Sequence, residues 1–221
     1  LEIPAVVVIS ALMHRLETGD QVIVDGRRGR VILDPDEATL VYYRQETERY
    51  RQRAEGFVEA RELPAETMDG VRVSLQGNIE LPAEVESARA YGAEGIGLYR
   101  TEYLYLAQGR LPDEETQYAA YTRLAERTTP QPLVIRTLDL GGDKLSHLLP
   151  TLPETNPFLG WRAIRLSLGS LDLFRVQLRA ILRASAQGNI KIMFPLVSGI
   201  AEFRQAKAVL KEVQEDLRAE G

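Results

Sequence analysis

Cysteine is absent from the 221 residues, and histidine occurs only twice, at His14 and His147. The first absence excludes disulfides, thiolate metal sites and a cysteine nucleophile within this chain. The second leaves little for imidazole chemistry, because the two histidines are isolated in sequence and match no metal-ligand motif, so each reads as a surface or packing residue. No apolar run approaches the roughly 20 residues that span a bilayer, and the first residues lack the basic start and cleavage site of a secretory signal. Positive charge is not in excess: 27 Lys and Arg face 32 Asp and Glu, a formal charge of −5. That balance gives no overall pull toward nucleic acid or an anionic membrane. Nucleophile-elbow, zincin, P-loop and dinucleotide-binding motifs are also missing. These absences describe a soluble, unexported, cytoplasmic chain with no nucleic-acid or membrane partner.

What is present is ample core material, 44% hydrophobic against 27% charged. Leu1 to Ile9 runs straight into a buried-type β stretch with no polar lead-in, as if cut from something longer. Two β-branched runs, Gln21–Asp25 and Arg30–Leu33, flank a Gly26-Arg27-Arg28-Gly29 turn and predict a hairpin. Asp34-Pro35-Asp36 then opens a long mixed-charge helix from about Asp36 to Arg61, with Tyr43, Tyr50 and Phe57 spaced as a seam for a neighbouring domain. Beyond Pro64, apolar runs at Val71–Ile79, Gly95–Tyr99, Leu133–Thr137 and Ile190–Pro195 alternate with helical patterns at Pro82–Tyr91, Asp113–Glu126, Leu171–Ser185 and Ile200–Leu217. Strand and helix in alternation predict parallel βα units. About four such units fit, where a closed eight-unit barrel takes about 250 residues.

The sharpest chemical signal is an echo: Leu98-Tyr99-Arg100-Thr101-Glu102 and Ile135-Arg136-Thr137-Leu138-Asp139 each place an arginine at the end of an apolar strand. In parallel βα folds these C-terminal strand ends form the active face. Two permanently charged forks there suit a small dianion carrying carboxylate and phosphate. The same residues equally suit an internal network, Arg100 with Glu102 or Asp139 and Arg136 with another carboxylate. Gly141-Gly142-Asp143-Lys144 offers close backbone approach and a point charge to a phosphate, or an ordinary turn. Asn156-Pro157-Phe158-Leu159-Gly160-Trp161-Arg162 carries the single tryptophan, and Arg162 is read either as an anion contact or as a charge at a helix start, with Phe158 and Trp161 in the core. Arg175, Arg179 and Arg183, four apart, read as a solvated helix face.

Taken together, Gly92–Glu102, Arg136–Lys144, Asn156–Arg162, Leu178–Ser185 and Met193-Phe194-Pro195 resemble Enzyme I of the phosphoenolpyruvate (PEP) phosphotransferase system. That family belongs with the PEP-utilising enzymes, among them pyruvate phosphate dikinase and PEP synthase. The resemblance implies an α/β chain. On this resemblance residues 1–35 are expected to be the β-rich tail of a phosphohistidine (swivelling) domain, 36–64 a linker helix, and 65–221 the N-terminal half of a TIM-type (β/α)8 barrel. It implies transfer of the PEP phosphoryl group to a histidine and then to the carrier HPr or an HPr-like counterpart, with pyruvate released. Arg100 and Arg136 would bind PEP, with Arg162 and Lys144 as secondary contacts. Magnesium is implied as well, with ligands outside this chain, as are the acceptor histidine, the carrier-docking helices and a catalytic acid cysteine. No catalytic residue or metal ligand is therefore expected within residues 1–221. The parent is expected to be a homodimer, and the segment alone inactive. A non-catalytic PEP sensor and a dikinase-like enzyme are the alternatives.

Overall fold

The computed structural model describes residues 3–7, 12–106, 110–140 and 160–221, except for the side chains of residues 13, 14, 54 and 57–60. Gly141 to Leu159, including Lys144, His147 and the Asn156-Pro157-Phe158-Leu159 motif, lies outside the described residues, as does the side chain of His14. The chain divides into two compact units, Leu1–Leu63 and Pro64–Gly221.

In the first unit, β1 (Val22–Asp25) and β2 (Arg30–Leu33) pair antiparallel with Asp25 opposite Arg30. Asp25 anchors the turn, accepting from the Arg27 and Arg28 backbone N–H groups at 3.1 and 3.0 Å and from Arg28 Nη1 at 3.2 Å. Tyr43 on α1 (Glu37–Ala60) donates its hydroxyl to the same carboxylate at 3.1 Å. Asp36 caps that helix by accepting from Thr39 N–H at 2.8 Å, satisfying one of the open donors of the first turn. Of the three residues of the expected aromatic seam, Tyr43 bonds Asp25, Tyr50 is exposed, and the side chain of Phe57 lies outside the described residues. The opening strand is also absent over residues 3–7, where Ile3 and Val7 are exposed and no ladder forms.

The second unit is built on a four-stranded parallel sheet in the order β3 (Gly77–Ile79), β4 (Ile96–Tyr99), β5 (Leu133–Arg136), β6 (Ile190–Met193). Parallel neighbours need crossovers. These run through α2 (Glu84–Ala90), α3 (Glu102–Leu106) and α4 (Glu114–Thr128), then α5 (Ala163–Gly169) and α6 (Leu171–Ala184), with α7 (Ile200–Glu220) last. Ile79, Ile96, Tyr99, Leu133 and Ile135 from the strands pack on Val85, Tyr121, Leu124, Ile181 and Ala184 from the helices. A second cluster joins Ile164, Phe174 and Leu178 to Ala206, Val209 and Val213 of α7. Gly95 enters β4 where a Cβ would lie 2.7 Å from the Pro132 carbonyl oxygen, so the close β4–β5 approach requires glycine.

Two expectations need correction here. Of the apolar run Val71–Ile79 only the last three residues join the sheet. Hydrogen bonds from Thr67 N–H to the Val71 carbonyl and from Val73 N–H to the Ala65 carbonyl fold the earlier part back on itself. Trp161 is not core: it is 44% exposed, its ring lying where a Cβ on Gly169 would reach it at 2.2 Å.

Candidate functional site

Strand register places the two echoing arginines side by side. Tyr99 pairs with Ile135 across β4 and β5, so Arg100 and Arg136 follow at adjacent positions on the C-terminal edge of the sheet. Thr101 ties the two strand ends together, its hydroxyl donating to the Arg136 carbonyl at 3.1 Å. Chain direction, rather than proximity in sequence, brings these residues to one edge.

Around Arg136 the structure assembles a charge network. Glu102, only 8% exposed at the start of α3, accepts from Arg136 Nη2 at 2.9 Å and from the Asp139 backbone N–H at 3.1 Å. Asp139 pairs with Arg136 Nη1 at 3.1 Å through one oxygen and with Arg162 Nη2 and Nε at 2.8 and 3.1 Å through the other. Arg162 also donates to the Asp139 carbonyl at 3.3 Å. Ala163, directly after it, adopts φ +55°, a left-handed conformation that costs about 1–2 kcal/mol in a residue bearing a side chain. The chain accepts that cost where it turns Arg162 onto Asp139.

Arg100 differs from the other two. It is exposed, and among the described residues no ion pair within 4 Å involves it. Its charge still reaches Glu84, whose carboxyl is held below its usual range by the Glu80 and Leu81 backbone N–H groups, with a smaller contribution from Arg100. The internal-network alternative is thus realised for Arg136 and not for Arg100, while Arg162, expected either as an anion contact or as a charge at a helix start, stands at the start of α5 and joins that network through Asp139. Behind the site, burial pushes the Tyr99 phenol up to about 12, with the Glu102 charge adding to it, so this ring is a neutral wall rather than an acid.

The four groups Glu102, Arg136, Asp139 and Arg162 are formally neutral together, and Arg100 adds one positive charge. Such an edge can receive an anion by charge-assisted hydrogen bonds. It does not fit a divalent cation. Both oxygens of Asp139 and Oε1 of Glu102 are occupied by guanidinium and backbone donors, and among the described residues no three His, Cys, Asp or Glu converge. Arg175, Arg179 and Arg183, expected as a solvated face, are instead bound by carboxylates of α4 and α7.

The fold is an α/β domain on a parallel four-stranded sheet, with an arginine-rich edge at the carboxyl ends of its strands. The chain belongs to the PEP-utilising enzymes: residues 54–221 match the family model described as PEP-utilising enzyme, PEP-binding domain. It is also 48% identical over all 221 residues to the phosphoenolpyruvate-protein phosphotransferases of Bacillus sp. (strain S) and Geobacillus stearothermophilus, covering 38% of each. The phosphoenolpyruvate-protein phosphotransferase of Staphylococcus aureus (strain MSSA476) is 46% identical over the same span, which is 39% of its length. The chain therefore spans well under half of the curated relatives it matches. No helix among the described residues is long and apolar enough to cross a membrane.

Proposed function

We propose that this chain is the PEP-binding segment of a cytoplasmic phosphoenolpyruvate-protein phosphotransferase. The observation that carries the reading is the positive surplus at the strand ends, two neutralised arginines beside one exposed arginine, in a chain of this family. Arg100 and Arg136 bind the phosphoryl end of PEP, and Arg162 is a secondary contact held in place by Asp139. Lys144 is assigned a similar secondary role. The carboxylates fix the Arg136 and Arg162 guanidinium planes before the ligand arrives, so little reorganisation is needed on binding.

In the reaction the bridging P–O bond of PEP breaks as a bond forms from phosphorus to a histidine nitrogen. The enolate of pyruvate leaves and is protonated at carbon. Guanidiniums around the equatorial phosphoryl oxygens offset the charge of that loose, in-line transition state. The acceptor histidine, the acid and the magnesium ligands are assigned to residues this segment does not supply. The phosphoryl group then passes to HPr or an HPr-like carrier, and the parent is taken to be a homodimer. Residues 65–221 are assigned the N-terminal half of a (β/α)8 barrel, since four consecutive parallel strands are half of eight. Residues 1–35 are assigned to a phosphohistidine domain and 36–64 to the linker between the two.

The test is to incubate the full-length protein that carries this segment with PEP labelled in the phosphoryl group. Label on a histidine, chased to an HPr-type carrier, supports the reading, and no labelled protein overturns it. Titration of the isolated segment with PEP separates out a sensor, which would bind at micromolar concentration without turnover.

A further inference from the structure

We propose that Gln177, a buried amide on α6, is a positioning residue that sets the spacing of the two arginine-bearing strand ends. The proposal rests on the reading above, that these strand ends bind PEP. Gln177 is 1% exposed and lies beneath the site rather than in it. Its Oε1 accepts from the Leu138 backbone N–H at 2.9 Å, within the segment that carries Arg136 and Asp139. Its Nε2 donates to Thr101 Oγ1 at 3.4 Å, between Arg100 and Glu102. One side chain thereby bridges both strand ends.

The direction of the bonds explains why an amide stands here. Leu138 N–H can only donate, so it fixes the oxygen end of Gln177 and turns the nitrogen end to the two hydroxyls. From there two chains of donors run outward. The Thr101 hydroxyl donates a hydrogen bond to the Arg136 carbonyl at 3.1 Å. Tyr121, 3.3 Å from Gln177 Nε2, donates to Gln117 Oε1 at 3.0 Å. Gln117 Oε1 also accepts from Tyr105 at 3.1 Å, and its Nε2 closes on the Pro112 carbonyl at 3.1 Å. Thr101, Tyr105, Gln117 and Tyr121 are all fully buried, so water cannot replace a lost partner without opening the core. A carboxylate at position 177 has no donor for the two hydroxyls, and a hydrocarbon serves neither end.

The experiment measures kcat and KM for PEP in the full-length protein bearing Gln177→Met or Thr101→Val, with Val213→Ala as a control in the α6–α7 cluster away from the strand ends. A role in positioning predicts that Gln177→Met and Thr101→Val each raise KM by about tenfold or more, the scale expected when a binding group shifts by a fraction of an ångström. Val213→Ala, which also lowers stability, keeps the wild-type KM. A purely structural role would lower the amount of active protein in all three and leave KM unchanged, and that result overturns the proposal. If Gln177→Met cannot be obtained folded, Gln177→Glu decides, with KM raised or unaltered read in the same way, because it keeps the acceptor for Leu138 N–H and removes the donor to Thr101, whereas Thr101→Val also removes the direct Thr101–Arg136 bond. A wild-type protein that does not use PEP overturns the reading above and this proposal with it. Wild-type turnover with unaltered KM in Thr101→Val overturns this proposal alone.

Discussion

Arg175, Arg179 and Arg183 on α6 and Arg100, Arg136 and Arg162 at the strand ends belong to one unit, yet the fold handles their charges in opposite ways. The α6 set is surrounded by more carboxylates than cations: Glu212 and Asp216 take Arg175, Glu114 and Glu220 take Arg179, and Glu114 and Glu115 take Arg183. Arg183 also lies over the Tyr118 ring at 4.2 Å. These contacts knit α6 to α4 and α7. At the strand ends three arginines meet two carboxylates, and Arg100 keeps its charge exposed. Arginine as such therefore says little about binding. What separates a helix clamp from a ligand edge is whether the protein supplies all the counter-charge itself.

The largest effect that tests this contrast is expected from Arg136→Ala. Removing a fixed donor aimed at developing charge typically lowers kcat by about 10²–10³-fold, or about 2.7–4 kcal/mol. In the full-length protein PEP-dependent phosphorylation should fall by that order, and wild-type turnover would remove Arg136 from the site. This variant should also lose stability, because it leaves the buried Glu102 and the half-buried Asp139 with fewer donors. Arg100→Lys comes next. Without an ion pair to lose, it should leave Tm unchanged while raising KM for PEP by about tenfold, since an ammonium cannot reproduce a bidentate fork. A fall in Tm with unaltered KM would move Arg100 into the class of the α6 arginines and end the comparison.

Strand order and direction were legible because the apolar runs ending at Tyr99, Thr137 and Pro195 are short, bounded and separated by helical periods. The two strand-end arginines were legible for the same reason, since each ends such a run. The charge network was not: Glu102 and Asp139 were conceivable partners of Arg100, and register across β4 and β5 brings Glu102 instead to Arg136, 34 residues away. Run length misled at Val71, where β-type composition folds into a local turn, and at Trp161, where a large apolar residue stacks on a glycine at the surface. Gln177 carries a trace in the sequence. It interrupts the apolar stripe of Phe174, Leu178 and Ile181, and a polar side chain inside such a stripe must find partners in the core.

On the α6 side, Arg179→Ala should lower stability by about 1 kcal/mol, roughly 2–4 °C in Tm for a protein of this size. Phosphoryl transfer should stay unchanged. Arg179 bonds Glu114 at 2.7 Å and Glu220 at 2.6 Å with its side chain 24% exposed, so its pairs are better than isolated surface ones and weaker than buried ones. Thermal melts beside initial rates check both halves, and a loss of rate without a loss of Tm would reverse the assignment.

The smallest effect concerns acid. Burial works to raise the Glu114 carboxyl, but hydrogen bonds from Arg179 and Arg183 outweigh it and hold the group below its ordinary value of 4.5. Glu220 is lowered likewise, chiefly by its bond to Arg179. A carboxylate with a depressed folded-state pKa stabilises the fold at all pH values above its unfolded pKa, and that contribution disappears as pH falls through the folded value. Tm should therefore be flat in this respect from pH 8 to about 5 and decline below about 4.5. Glu114→Gln should lower the plateau by less than about 1 kcal/mol and make the acid decline shallower, so that the two curves converge at low pH. Parallel curves separated by a constant amount would mean that Glu114 acts through packing, and that the α6 arginines are held by shape more than by charge.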